Sequence, residues 1–479
     1  MSRPLYCCLA IAGLAFPIQL SAQSQGEGLA NLLPDLILRG ITLPGADDPG
    51  RPHAGHFTLG NPTFGGSQAE SKPDVGSIRA VAAFGDRLRA QLANFPLGSS
   101  TGGFTYSFDA GSGIYTRSSQ SFGPAFTERA ATVGRRKLSL GVNYQHTSFD
   151  TFGGENLRDG SVTFYLPHTD CCPNVTAASP QDPGFEGDVV EAALTLKATT
   201  DTLALFANYG LTNRLDVGLA IPLTRVDLEA NVRARILRLS SGDNLLVHTF
   251  VDGEDVIVAS FSRSGSATGI GDVLVRTKYN FMRAASAGLS LGVDLRLPTG
   301  EENDLLGLGT TQAKFLLIAS SATDRLSPHV NIGFTLSGEG KRETSFGFEP
   351  PGVSDEFNYS GGVEFVAYPR LTILADFLGR TLIDAGTVEL EPRTFEFRPG
   401  AGALGTVTPR TSTINPLTGE PYRQLALEAG RNLTLLLGSA GFKFNAATNL
   451  LVMANVLFPL NNAGLRDRLT FAFGVDYAF

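Results

Sequence analysis

Apolar and polar residues alternate with a period of two over much of this chain, most clearly at its end. Leu469, Phe471, Phe473, Val475, Tyr477 and Phe479 share one parity, and Thr470, Ala472, Gly474, Asp476 and Ala478 share the other. A β-strand sends successive side chains to opposite faces. The segment therefore reads as a strand with one apolar, aromatic-rich face and one small or polar face. The same alternation runs through 138–144, 215–221, 289–297, 326–336, 357–365 and 371–377. Short turns at 211–214, 283–287, 323–325, 368–370 and 445–448 alternate with longer polar connections near 151–187, 224–268, 299–311, 339–355 and 383–430. That is the rhythm of a membrane barrel, with short periplasmic turns and longer external loops.

Counting back from a descending last strand after the turn at 461–464 gives about 12 strands between residues 135 and 479. The expected fold is all-β, a transmembrane antiparallel barrel with both ends periplasmic. Two stretches leave 14 strands as the alternative, since strands are added in pairs. Residues 188–210 are long for one strand. The connection 224–268 holds apolar runs that could be protruding extensions or two more spanning strands.

Composition sharpens this picture. Only 18% of residues are charged, glycine is abundant at 55 and phenylalanine common at 32. Beyond the N-terminus no stretch approaches the roughly 20 apolar residues of a spanning helix, and lipid otherwise admits only closed sheets. At the N-terminus, Arg3, an apolar run over 5–16 and small Ser21 and Ala22 form a secretory signal pattern. Cleavage is expected after Ala22, with Leu20 a mild departure from the small-residue rule. Cys171 and Cys172 are adjacent; a vicinal disulfide or two free thiols are the choices, and metal-ligand spacing is absent. A net charge of −8 gives no support to a nucleic-acid partner.

Residues 23–134 lack sustained alternation. Within them, 30–38 reads as a short helix whose start is limited by Pro34, 45–75 as loop, and 77–92 as an amphipathic helix. Segments 104–108 and 114–117 read as a hairpin around 109–113. This region is expected to be periplasmic or a plug in the barrel mouth.

The polar parity collects charges of both signs: Asp216, Asp272, Arg276, Lys278, Asp294, Arg296, Lys314, Glu364, Asp376 and Asp476, with His329 on the same face. Charges turned away from lipid avoid a large burial cost, so these residues are the candidates for lining the lumen. They could guide a solute or neutralise one another; mutual pairing is the simpler expectation. His53 and His56 form an H-x-x-H in a loop without a third ligand, His168 and His248 fall in loops, and His146 shares a face with Ser148. None has a catalytic context, so no catalytic residue, metal or cofactor is assigned. A lipid-hydrolysing barrel and a structural or adhesive surface barrel are the alternatives.

Two resemblances extend this reading. The aromatic C-terminus resembles the closing strand of bacterial outer-membrane barrels, where it forms part of the assembly signal. It implies outer-membrane localisation, lipid as surroundings, and the barrel assembly machinery as a partner through the strand ending in Phe479. Further back, Gly269-Ile-Gly-Asp272, Lys278-Tyr-Asn-Phe281, Leu297-Pro-Thr-Gly300 and Leu306-Gly-Leu-Gly309 resemble the outer-membrane proteins associated with the meta-pathway of phenol degradation. These are distant relatives of hydrophobic-compound and fatty-acid channels. The resemblance implies passive passage of small, hydrophobic or aromatic compounds, with the solute unassigned. A nucleotide site is not expected at these glycines, because they open a strand and supply no helix N-terminus for a phosphate.

Overall fold

The computed structural model describes residues 28–41, 43, 75–93, 96, 98–99, 103–109, 114–117, 119–167, 189–237, 249–251, 253–284, 286–340, 352–397 and 410–479. The segment expected to be a signal peptide, together with Cys171, Cys172, His53, His56, His168 and His248, lies outside the described residues.

Twelve strands close into one antiparallel ring. They are β1 (Leu138–Phe149), β2 (Val189–Gly210), β3 (Leu215–Leu237), β4 (Val273–Arg283), β5 (Ala287–Leu297) and β6 (Gln312–Ser321), then β7 (Leu326–Ser337), β8 (Glu356–Tyr368), β9 (Leu371–Leu382), β10 (Leu433–Ala447), β11 (Leu450–Pro459) and β12 (Thr470–Ala478). Each pairs with its neighbours in sequence, and β12 closes onto β1, with Ala478 opposite Ser139 and Phe471 opposite His146. The Phe479 N–H donates to the Leu138 carbonyl at 2.8 Å. No edge is left in the ring, which is what hydrocarbon requires of a sheet.

The outer face is apolar. Leu291, Phe315, Val330, Ile332, Phe357, Ile373, Phe442, Phe471, Phe473 and Tyr477 all stand exposed. On β3 this parity runs from Leu215 to Leu223 and then turns polar at Arg225, Asp227 and Glu229. Eight residue steps span about 27 Å along a strand. At the usual barrel tilt that is a band a little over 20 Å tall, near the height of the apolar girdle of membrane barrels.

Both open points of strand count resolve through β2 and β3. Each is a single strand, of 22 and 23 residues, paired without a break from Gly210–Asp216 to Val189–Leu237. Their outer halves rise beyond the apolar band. There they are flanked by Val162–Pro167 on β2 and by Val258–Ile270 on β3. These two extra strands widen the protruding sheet and do not enter the ring, so the alternative of 14 spanning strands is replaced by 12 plus an extension.

The parity of the hairpin inverts where it leaves the band. Below that level the inward residues are polar, as at Asn208, Thr202 and Asp216. Above it the same parity carries Ala198, Leu196, Leu194, Val226, Leu228, Val232 and Ile236, all buried. Two helices cover them: α1 (Leu29–Asp35, continued by a π turn over Leu36–Gly40) and α2 (Val75–Leu92). Leu33, Ile37, Phe84 and Leu88 join this inner face in one core, which also takes in Val388 and Leu425. Those two belong to a hairpin of Thr387–Pro392 and Arg423–Glu428.

One expectation for the N-terminal region needs correction. Pro34 lies inside α1 rather than at its start. Its missing N–H interrupts the regular ladder, and the wider π turn follows directly. The two helices sit at the mouth with the long loops, because the apolar surface able to bury them is the extension. The expected hairpin forms, with Tyr106–Asp109 paired to Ile114–Arg117.

The glycine motifs interlock as a structural clasp. The Asp272 carboxylate accepts the Gly300 N–H at 3.2 Å and the Leu308 N–H at 2.9 Å. Thr299 Oγ1 accepts from the Val273 N–H and donates to the Gly271 carbonyl, at 2.9 and 2.8 Å. A Cβ at Gly307 would stand 2.5 Å from Asp272 Oδ1 and 2.7 Å from the Gly300 carbonyl, so backbone approach excludes a side chain there.

Candidate functional site

The lumen is occupied by the chain's own N-terminal segment. Beyond α2, the Pro96 and Gly98 carbonyls accept hydrogen bonds from Gln145 and Arg276 of the wall, and Gly103 packs against Leu451 beside the short turn between β10 and β11. The irregular stretch 121–134 then runs inside the ring before β1 begins. An irregular backbone inside a protein must find partners for its peptide groups, and the inward side chains of the barrel supply them.

Carboxylates and amides of the wall accept plug N–H groups. Glu364 accepts from Gly123 at 3.1 Å, Asp376 from Ala125 and Phe126 at 3.3 Å each, and Asp216 from Val133 at 2.9 Å. Asn331 engages Glu128 twice, accepting its N–H and donating to its carbonyl, both at 2.8 Å. Ser320 Oγ accepts the Ala130 N–H at 3.0 Å, while Asn280 and Ser290 donate to the Ala130 carbonyl at 2.9 and 2.6 Å. Wall cations donate to plug carbonyls: Arg276 to Gly98 at 2.9 Å, Lys278 to Arg129 at 3.2 Å, Arg296 to Ala93 at 3.2 Å and Lys443 to Pro124 at 2.8 Å.

Side chains add a second layer. Glu128 stands between Arg276 (3.5 Å) and Lys278 (3.3 Å), and Arg276 also reaches Asp294 at 3.3 Å. His329 Nε2 lies 2.5 Å from Thr127 Oγ1 and 3.1 Å from Asp376 Oδ1, with Glu364 3.6 Å from Nδ1. Thr127 also donates to Asp376 at 3.0 Å. The group is buried, and its threonine comes from the plug while the other members come from β7, β8 and β9.

Of the residues named from sequence, Asp216, Arg276, Lys278, Arg296, His329, Glu364 and Asp376 all bond to the plug. Asp294 joins them through Arg276. Lys314 lines a cavity above the plug. Asp476 packs over Gly141, where a Cβ would collide with it. Asp272 is the exception, since it holds the clasp of the 299–309 loop. Among these charges Arg276 pairs with Asp294, and the plug's Glu128 carboxylate stands against Arg276 and Lys278. Phe126, Thr127 and Glu128 carry no periodic signal and were not legible as site residues. Glu356, Arg380 and Lys443 were legible: they share the inward parity of Glu364, Asp376 and Leu435.

The cavity, of about 250 Å³, lies between the plug loop below and the end of α2 above. At its outer rim, in the loop before β12, burial and the nearby charge of Arg380 push the Arg466 guanidinium down to about 10. Burial also raises the Asp467 carboxyl, against the pull of hydrogen bonds from the Ser148 and Leu469 N–H groups and the Thr470 hydroxyl. Among the described residues no cluster of three potential metal ligands occurs.

No curated protein matches the chain. Several solved outer-membrane channels align with it in part. An outer membrane channel from Pseudomonas putida F1 aligns at 10% identity over 73% of this chain and 98% of its own, with a TM-score of 0.41. The CymD monoaromatic hydrocarbon channel aligns at 9% identity over 72% and 89%, with a TM-score of 0.34. A Pseudomonas aeruginosa FadL homologue aligns at 11% identity over 73% and 91%, with a TM-score of 0.29. The strand pairing above establishes the fold without them. Over residues 173–349 the chain matches the family described as putative MetA-pathway of phenol degradation, the family its motifs resemble.

Proposed function

We propose that this chain is a plugged channel of the bacterial outer membrane that passes small, poorly water-soluble compounds, aromatic ones among them. One observation carries the reading: a closed, apolar-girdled ring holds its own N-terminal segment through hydrogen bonds to inward polar side chains. Hydrogen bonds to a wall that water can also solvate are exchangeable at modest net cost, so such a plug can move. A purely apolar filling would serve as a core. The family match supports the solute class. In this reading residues 1–22 are a leader, 23–134 the plug region and 135–479 the barrel, inserted by the assembly machinery that reads the strand ending in Phe479.

The enzyme alternative has less support. His329 sits beside the Thr127 hydroxyl, but its Nδ1 has no hydrogen-bond partner among the described residues. A general base needs an orienting partner and a substrate path, and this group is enclosed between plug and wall. It acts here as a latch.

Purified protein in liposomes should accelerate entry of a small aromatic alcohol well beyond protein-free vesicles, and should leave a disaccharide excluded. Equal exclusion of both solutes would sink the channel reading. Equal passage of both would remove its selectivity.

A further inference from the structure

The cavity above the plug has two unlike walls. On β4, β5 and β6 it is lined by Arg276, Arg296 and Lys314. On β9, β10 and β11 it is lined by Leu378, Leu435, Leu437 and Leu457, with Arg380 beside them on β9. In a ring of twelve, β4–β6 face β10–β12 across the lumen. Arg276, Arg296 and Lys314 thus stand across the lumen from a cluster of four leucines bordered by Arg380 and Arg466, in a chain whose net charge is −8.

Acidic residues also line the space, and each is already engaged. Glu128 and Asp294 stand against Arg276, and Glu356 lies 3.7 Å from Arg380. Asp467 accepts from Ser148, Leu469 and Thr470. Lys314 differs: among the described residues its ammonium has no hydrogen-bonded or ion-paired partner. It feels Asp294 and Glu356 only through space. A partly buried ammonium on a cavity wall is a place where an anion gains most, because little water competes.

The plug shows what fits between such walls. Phe126 packs with Leu374 and Leu457, against Leu378 and Leu437. Two residues on, Glu128 meets Arg276 and Lys278. An aromatic ring on the apolar side and a carboxylate on the cationic side already occupy the cavity floor.

We propose that this cavity is a binding site for a small organic carboxylate with an aromatic or short alkyl body, the carboxylate meeting Lys314 and the body lying on the leucine wall. This rests on the channel reading above and gives it a substrate class. Such a ligand repeats the Phe126–Glu128 pattern one level higher.

The test uses full-length protein in lipid nanodiscs, with benzoate, benzyl alcohol and glucose as probes read by calorimetry. Benzoate should bind at least about tenfold more tightly than benzyl alcohol, the margin of one charge-assisted hydrogen bond, and glucose should not bind. Lys314→Gln should remove that margin and leave benzyl alcohol unchanged; Lys314→Arg should restore most of it. Leu437→Gln should weaken both aromatic probes alike. Heat-modifiable migration confirms that each variant is folded. If folded Lys314→Gln keeps the benzoate preference, or wild type shows none, the site is wrong even where liposomes still pass the alcohol. If benzoate binds as expected but no solute crosses liposomes, the site stands and the channel reading fails.

Discussion

Removing residues 23–134 while retaining the leader should turn a nearly silent protein into a severalfold better conductor in planar bilayers. The ring does not need the plug to close: its hydrogen bonds run from β1 to β12 and back to β1. Without the plug, Asp216, Glu364, Asp376, Lys278 and Lys443 lose their peptide partners and gain water instead, which a lumen can supply. The cost falls on the extension, whose inner apolar face loses α1 and α2. A narrower change guards against that cost. Asp376→Ala removes the acceptor shared by the Ala125 and Phe126 N–H groups and the Thr127 hydroxyl, and it leaves the helices alone. It should give intermittent openings between the silent and the truncated states. Large, equal conductance in intact, Asp376→Ala and truncated protein would mean that the segment does not obstruct the lumen.

Placing an arginine at Ile332 should destabilise insertion by about 2–4 kcal/mol, the cost of a cation near the bilayer midplane. Ile332 lies near the middle of β7 on the outward parity, and 48% of its surface is exposed. In a water-soluble protein that exposure would make the change nearly neutral. The matched control is Asn231→Arg on β3, which has the same outward parity but lies above the band. There the effect should stay within about 0.5 kcal/mol, as for other surface changes. Urea titration of folding into phospholipid vesicles separates the two. Equal effects at both sites would place Ile332 in water and end the membrane assignment.

Much of this fold could be read from the alternation, because lipid outside and polar groups inside impose one parity on every spanning strand. The hairpin of β2 and β3 shows where that logic changes. At Asp201 and Arg225 the outward parity turns from leucine to charge, and the inward parity turns from polar to apolar. The inversion is visible in the sequence, and its cause is the exchange of lipid for water outside and of a polar lumen for helix-covered core inside. A long strand that inverts parity reads as two, which is why residues 188–210 admit either count.

The plug resisted reading for a different reason. Residues 121–134 have no period, so Phe126, Thr127 and Glu128 give no sign of their roles. Their partners could be listed from parity alone, as Asp376, His329 and Arg276 were. What sequence could not supply was the chain segment those side chains would hold.

A disulfide that locks the plug tests the central claim most directly. A Cβ at Gly288 would stand 3.3 Å from the Ala130 Cβ, close to the roughly 3.5–4.5 Å that a disulfide spans. The variant Ala130→Cys/Gly288→Cys, with Cys171 and Cys172 changed to Ser, would be compared oxidised and reduced in liposomes. The account predicts that oxidation drops uptake of a small aromatic alcohol to the protein-free rate and that reduction restores it. Uptake that is the same in both states would contradict a plug that must move for the channel to open.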